Sequence, residues 1–184
     1  QSSASGGTGY VWARDYTSSA AALATSYGGW MATSGGNVFV AYAAGATVHS
    51  YLAKIDTASN ASFAAGPIDL GANTSGYTAI AGGKWNGSTD YVWAIHQGDN
   101  IIRKYTAANL TLETNAGYGC QGQNLYTDLA NETAGTVYVL GMVATASGST
   151  YSLYLTGYGT FNTDANPNAF LRQYHMGTTT CTED

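Results

Sequence analysis

The sequence predicts an all-β fold, and three observations predict it: a shortage of charge, an excess of small and tyrosine side chains, and short alternating runs that recur about every fifty residues. Only 9% of the 184 residues are charged, against roughly 25% in an ordinary soluble domain. That is too little charge to clothe the solvent faces of helices. The 24 glycines and 15 tyrosines, set among many Ala, Ser, Thr and Asn, instead favour pleated strands joined by turns. The length is that of one domain with room for a core.

In chain order, Gln1 to Gly9 is a Gly- and Ser-rich arm, and Tyr10-Val11-Trp12-Ala13-Arg14 is the first strand-like run. Three segments then share one plan of strand, polar turn, and β-branched or aromatic strand. The first is Trp30-Met31-Ala32-Thr33, the turn Ser34-Gly35-Gly36-Asn37, and Val38-Phe39-Val40-Ala41. The second is Thr78-Ala79-Ile80-Ala81, a turn through Asn86-Gly87-Ser88, and Tyr91-Val92-Trp93-Ala94. The third is Tyr126 to Ala130, a turn from Asn131 to Gly135, and Val137-Tyr138-Val139-Leu140. Their core strands start at 38, 91 and 137, spacings of 53 and 46 residues. A period of that size marks sheet units repeated along the chain.

Each core strand is followed by another: Ser50 to Ile55, Asn100 to Tyr105, and Tyr151 to Leu155. The first two repeats add a fourth through Ser62-Phe63-Ala64 and Leu110-Thr111-Leu112-Glu113. Four antiparallel strands per repeat is the plan of a propeller blade. Ala169-Phe170-Leu171-Arg172-Gln173 and the run at Tyr10 both match the third-strand type Tyr51-Leu52-Ala53-Lys54. Each end is therefore expected to carry a strand without a complete blade of its own. The division expected is an arm over 1–9, one all-β domain over 10–176, and a tail over 177–184.

Gly35-Gly36-Asn37-Val38-Phe39-Val40 with Tyr51-Leu52-Ala53-Lys54-Ile55-Asp56 resembles the repeats of secreted β-propeller proteins of bacterial type. The resemblance spans most of residues 10–160 on short motifs. It implies about three propeller-like blades plus terminal strands, fewer repeats than such proteins usually carry. A β-sandwich is the alternative.

Charge and motif exclude several functions. The net charge is −5 with a pI near 4.9, and six scattered Lys and Arg form no basic stripe, so nucleic-acid binding is not expected. No apolar run approaches the ~20 residues of a membrane span. His49, His96 and His175 show no zinc spacing and are expected at loops or strand edges. Neither a serine-nucleophile elbow nor a phosphate loop is present; Gly82-Gly83-Lys84 reads as part of a hairpin turn. Asn162, Asp164, Asn166 and Asn168 alternate hard oxygens of the kind calcium takes, but one carboxylate makes a weak site, and turn formation is their expected role. No catalytic residue, metal or cofactor is expected.

What remains points outside the cell. Gln1 in place of Met suits a chain whose signal peptide has been removed. In a secreted chain Cys120 and Cys181 would form a disulfide closing one long loop and tying down the tail. Asn60, Asn73, Asn86, Asn109 and Asn131 each open an Asn-x-Ser/Thr acceptor triplet for N-linked glycans. The expected function is a structural subunit of an extracellular or cell-surface filament, fibril or coat. It would join copies of itself through its Tyr-rich surfaces and terminal strands, with Gln1, Tyr10, Val11, Trp12, Ala169, Phe170 and Leu171 as the assembly residues. The alternative is a secreted sugar-binding module, which calls for a solvent-facing Trp in each repeat.

Overall fold

The computed structural model of the protein describes residues 27–44, 48–55, 63–72, 78–125, 134–161 and 166–184. The fold is all-β, and the described residues form three antiparallel sheets. The first sheet runs β1 (Tyr27–Ser34), β2 (Asn37–Ala44), β3 (His49–Ile55) and β4 (Phe63–Ala72), in that order across the sheet. The second is β5 (Thr78–Lys84), β6 (Asp90–His96) and β7 (Arg103–Thr106), with Leu112 bridged to Tyr105 where a fourth strand is expected. The third is β8 (Ala134–Ser147), β9 (Thr150–Phe161), β10 (Asn168–Met176) and β11 (Cys181–Glu183). Sequence-adjacent strands pair throughout, so every sheet is a simple meander.

The pleat explains the packing. Successive side chains point to opposite faces of a strand, and the middle sheet is covered on both. Val92 and Ala94 of β6 join Phe39, Ala41, Leu52 and Leu70 in a core against the first sheet. Trp93 and Ile95 join Leu153, Leu155, Tyr174 and Met176 in a core against the third. This is why Tyr91 to Ile95 reads as an almost unbroken apolar run, the signature of a strand buried on two faces. Buried hydroxyls between the sheets satisfy one another, as Ser50 Oγ and Thr78 Oγ1 do at 2.7 Å.

The first strands of the sheets lie together. Trp30 of β1 donates its indole N–H to the Leu140 carbonyl of β8 at 3.2 Å. Gly82 of β5 packs so closely on β1 that a Cβ there would lie 2.2 Å from the Thr33 carbonyl oxygen. Between β1, β5 and β8 remains a cavity of about 200 Å³, lined by Met31, Thr33, Ile80, Gly82, Met142 and Val143 among others.

Val137-Tyr138-Val139-Leu140 lies in β8, at the edge of the third sheet among the described residues, and the strand expected before it, Tyr126 to Ala130, lies outside them. Two sequence expectations are corrected. Ala169 to Gln173 is the third strand of a complete four-stranded sheet, so the C-terminal end holds no spare strand. Gly82-Gly83-Lys84 completes β5, and the turn follows it.

Candidate functional site

The outer face of the third sheet lies on the side away from the core that holds Leu153, Leu155 and Tyr174. Residues directly opposite on paired strands share a face, which allows the face to be read row by row. Tyr138, Tyr158 and Ala169 form one row; Gly141, Thr156 and Leu171 the next; Val143, Tyr154 and Gln173 the third; Thr145, Ser152 and His175 the last. None of these twelve is Asp, Glu, Lys or Arg. Tyr138 and Tyr158 stack with ring centroids 4.7 Å apart. Leu171 is 69% exposed and Val143 58%, and Met31, on the neighbouring β1, is 72% exposed.

The first sheet carries a small buried aromatic cluster of its own, Tyr42 and Ala53 with Val40, Tyr51 and Phe63 packed against them. Tyr42 stacks on Tyr51 at 5.5 Å and on Phe63 at 6.2 Å. Burial pushes the Tyr42 hydroxyl up to about 12, with the neighbouring Tyr51 adding to it. Beside this cluster His49 Nδ1 lies 2.9 Å from Asp69 Oδ2.

A second constellation lies between the second and third sheets. Lys104 of β7 has no exposed surface, because the pleat turns it toward the third sheet while Tyr105 faces the first. Its Nζ lies 3.6 Å from the Trp85 ring centroid, 4.4 Å from Tyr91 and 4.7 Å from Tyr118, an aromatic cage. Glu113 Oε2 is 3.6 Å away. Loss of water lowers the Lys104 ammonium to about 8, against the upward pull of Glu113. The cage is fastened by Trp85 Nε1 donating to the Met176 carbonyl at 3.0 Å and Trp93 Nε1 to the Gly119 carbonyl at 2.8 Å. Beside it, Cys120 and Cys181 form a disulfide that ties β11 to the short turn at Tyr118–Cys120. No sequence signal singles out Lys104, since its ring partners stand 13 to 19 residues away on either side.

Of the three histidines, His96 differs from expectation. His96 ends β6 but is 3% exposed. Its Nδ1 accepts from Gly98 N–H at 3.1 Å, which places the ring proton on Nε2, 3.2 Å from Asp99 Oδ1. Burial works to raise the Asp99 carboxyl, but hydrogen bonds from His96, Arg103 and the Ile101 amide outweigh it and hold the group well below the usual carboxylate range. His175 Nε2 lies 2.8 Å from Asp184 Oδ2, and its Nδ1 lies 3.4 Å from Ser152 Oγ. The residue types match a hydrolytic triad, yet Ser152 is 5% exposed, so its oxygen offers no path to a carbonyl carbon. This trio fastens the Asp184 carboxylate to the sheet.

Of the other residues singled out by sequence, Gln1, Tyr10, Val11, Trp12, Asn60, Asn73, Asn131, Asn162 and Asp164 lie outside the described residues. Asn86, Asn109 and Asn166 are described and exposed. Phe170 is half-buried beside the core that holds Trp93, while Ala169 and Leu171 are exposed. Trp85 and Trp93 are buried with their N–H groups used internally, so neither offers a face to a sugar. Among the described residues no group of three or more His, Cys, Asp and Glu is placed to hold a metal, and no helix is long and apolar enough to cross a membrane. A scan against family models found no matching family, and searches of curated proteins and of solved structures found no match.

Proposed function

We propose that the chain is a non-enzymatic structural subunit of an extracellular filament, fibril or surface coat, assembled from copies of itself. One observation carries the reading: the outer face of the third sheet has no Asp, Glu, Lys or Arg in its four rows, carries Tyr138, Tyr154 and Tyr158 among neutral Thr, Gln and Ser, and presents Leu171 and Val143 to solvent. A flat uncharged sheet face is a liability to a monomer and an asset to a polymer. Aromatic residues are enriched, and charges depleted, at the buried centres of protein interfaces. Contact between this face and a different surface of the next copy would be head-to-tail, and such a contact extends without limit unless its rotation closes.

On this reading the three sheets are consecutive propeller-like blades, and the convergence of β1, β5 and β8 on one cavity supports it. A layered β-sandwich accommodates the same sheets. The disulfide suits an oxidising location outside the cell. N-linked glycans would keep a surface with so few charges soluble.

Negative-stain electron microscopy and light scattering of the native protein test the proposal. Long polymers that shorten to discrete particles in the Leu171→Asp variant are the expected result. Wild-type protein that stays monomeric at high concentration and binds glycans on an array would overturn it in favour of a sugar-binding module.

A further inference from the structure

We propose that Asn109 carries an N-linked glycan and that the cavity beside it seats the first sugar. The inference rests on the extracellular, glycosylated part of the reading above and is independent of polymerisation.

The turn after β7 is built to present this residue. Leu110 N–H donates to the Thr106 carbonyl at 2.9 Å, and Thr106 N–H donates to the Thr111 carbonyl at 2.9 Å. Leu110 adopts φ +58 and is 4% exposed, buried in the core between the first and second sheets. Burying the middle residue of Asn109-Leu110-Thr111 turns Asn109 outward, and it is exposed.

The carboxamide is held in one orientation. Its Oδ1 accepts from the Thr106 hydroxyl at 2.6 Å and from the Thr111 hydroxyl at 2.9 Å. A carbonyl oxygen has two lone pairs, and both are used. Nδ2 is left without an acceptor among the described residues. Thr111 is the third residue of the acceptor triplet, so its hydroxyl already touches the group to be modified. In the modification Nδ2 forms a bond to the anomeric carbon of the sugar. The bond from that carbon to a phosphate leaving group of an activated lipid-linked donor breaks, and Nδ2 loses one proton to solvent.

Asn109 also lines a cavity of about 300 Å³. Its other walls include Gly35, Asn37, Thr89, Asp90, Ala107 and Ala108. That volume is at the small end of the ligand-site range of roughly 300–1,000 Å³. Ala108, exposed at the rim, offers a methyl group to the C–H face of a pyranose ring. Asp90, Thr89 and Asn37 offer oxygen acceptors to its hydroxyl and N-acetyl N–H groups. The rim is braced where Lys54 Nζ donates to the Ala108 carbonyl at 2.8 Å. Gly35 lies against Asp90 at φ +57, and a Cβ there would come 2.7 Å from Asp90 Oδ2.

Glycopeptide mass spectrometry of the mature protein from its native source tests the site. The expected result is a hexosamine-bearing glycan on the peptide containing Asn109, lost on Thr111→Val. An unmodified Asn109 beside sugar on another of the five acceptors would overturn this inference and leave the glycoprotein reading standing. Sugar on none of them would overturn both. The seat is tested by trimming the glycan to its first sugar and comparing Tm with protein from which that sugar has been removed. A Tm higher by about 2–4 °C with the sugar is expected. Equal Tm values would place the sugar in solvent and overturn the seat.

Discussion

Lys104→Met removes the buried charge of the aromatic cage and keeps an unbranched side chain of similar length. The ammonium is lowered from 10.5 to about 8, a depression of about 2.5 units, and at about 1.36 kcal/mol per unit the burial of the charge costs about 3 kcal/mol. The three ring faces offset part of that, each contributing roughly 0.5–2 kcal/mol. Glu113 keeps partners without the lysine, since its Oε1 accepts from Thr114 N–H, Asn115 N–H and Asn115 Nδ2. At pH 7 the variant is therefore expected to lie between equal stability and about 3 kcal/mol more stable than wild type. The sign with pH follows from proton counts. Between about 8 and 10.5 the unfolded chain holds a proton that folded Lys104 has lost, so wild-type stability rises with pH across that window. Urea unfolding with the disulfide intact, at pH 7.0 and 9.5, should show any advantage of the variant shrinking at the higher pH. A variant less stable by more than about 1 kcal/mol at pH 7, with a gap that does not change by pH 9.5, would refute the reasoning and make the cage a net cation site.

Cleavage of Cys120–Cys181 by Cys181→Ser opens a loop with a sequence separation of 61, and chain entropy puts the loss near about 4 kcal/mol, readable as a lower urea midpoint. Gly82→Ala drives a methyl into the Thr33 carbonyl and should cost about 3 kcal/mol or more. Gly36→Ala meets no atom within 4 Å but must hold φ +75, for about 1 kcal/mol; thermal melts of the pair separate contact from backbone strain. Leu171→Asp should leave Tm within a degree or two of wild type while lowering the sedimentation coefficient of the assembly, because its side chain touches solvent in the single copy.

Alternation made the strands legible. Val38 to Ala41 and Tyr91 to Ala94 are in β2 and β6, where turn residues on both sides fix the boundaries. Val137-Tyr138-Val139-Leu140 was legible as a strand, but its pairing with β9 was not, since composition carries no information about which neighbour a strand pairs with. The 14-residue length of β8 is set by its partner β9 and leaves no local mark. The third-strand type of Ala169 to Gln173 was legible, whereas its place in a four-stranded sheet was not, because that place is fixed by pairing with β9 and not by its own residues. The candidate surfaces divide in the same way. Leu171 and the exposed acceptor Asn109 were visible as motifs, whereas the cavity beside Asn109 joins turns from two sheets. The Lys104 cage depends on three rings brought together only by the pleat and the turn at Tyr118.

The disulfide also decides how the chain answers a pulling force. Cys120 precedes the third sheet and Cys181 lies in its last strand, so tension applied along the chain crosses from one sulfur to the other and bypasses nearly everything between. Some 60 residues are thereby withheld from extension, roughly 200 Å of contour at about 3.3–3.6 Å per residue. Under load the first two sheets unravel while the third keeps its length, and reduction of one bond releases that length in a single step.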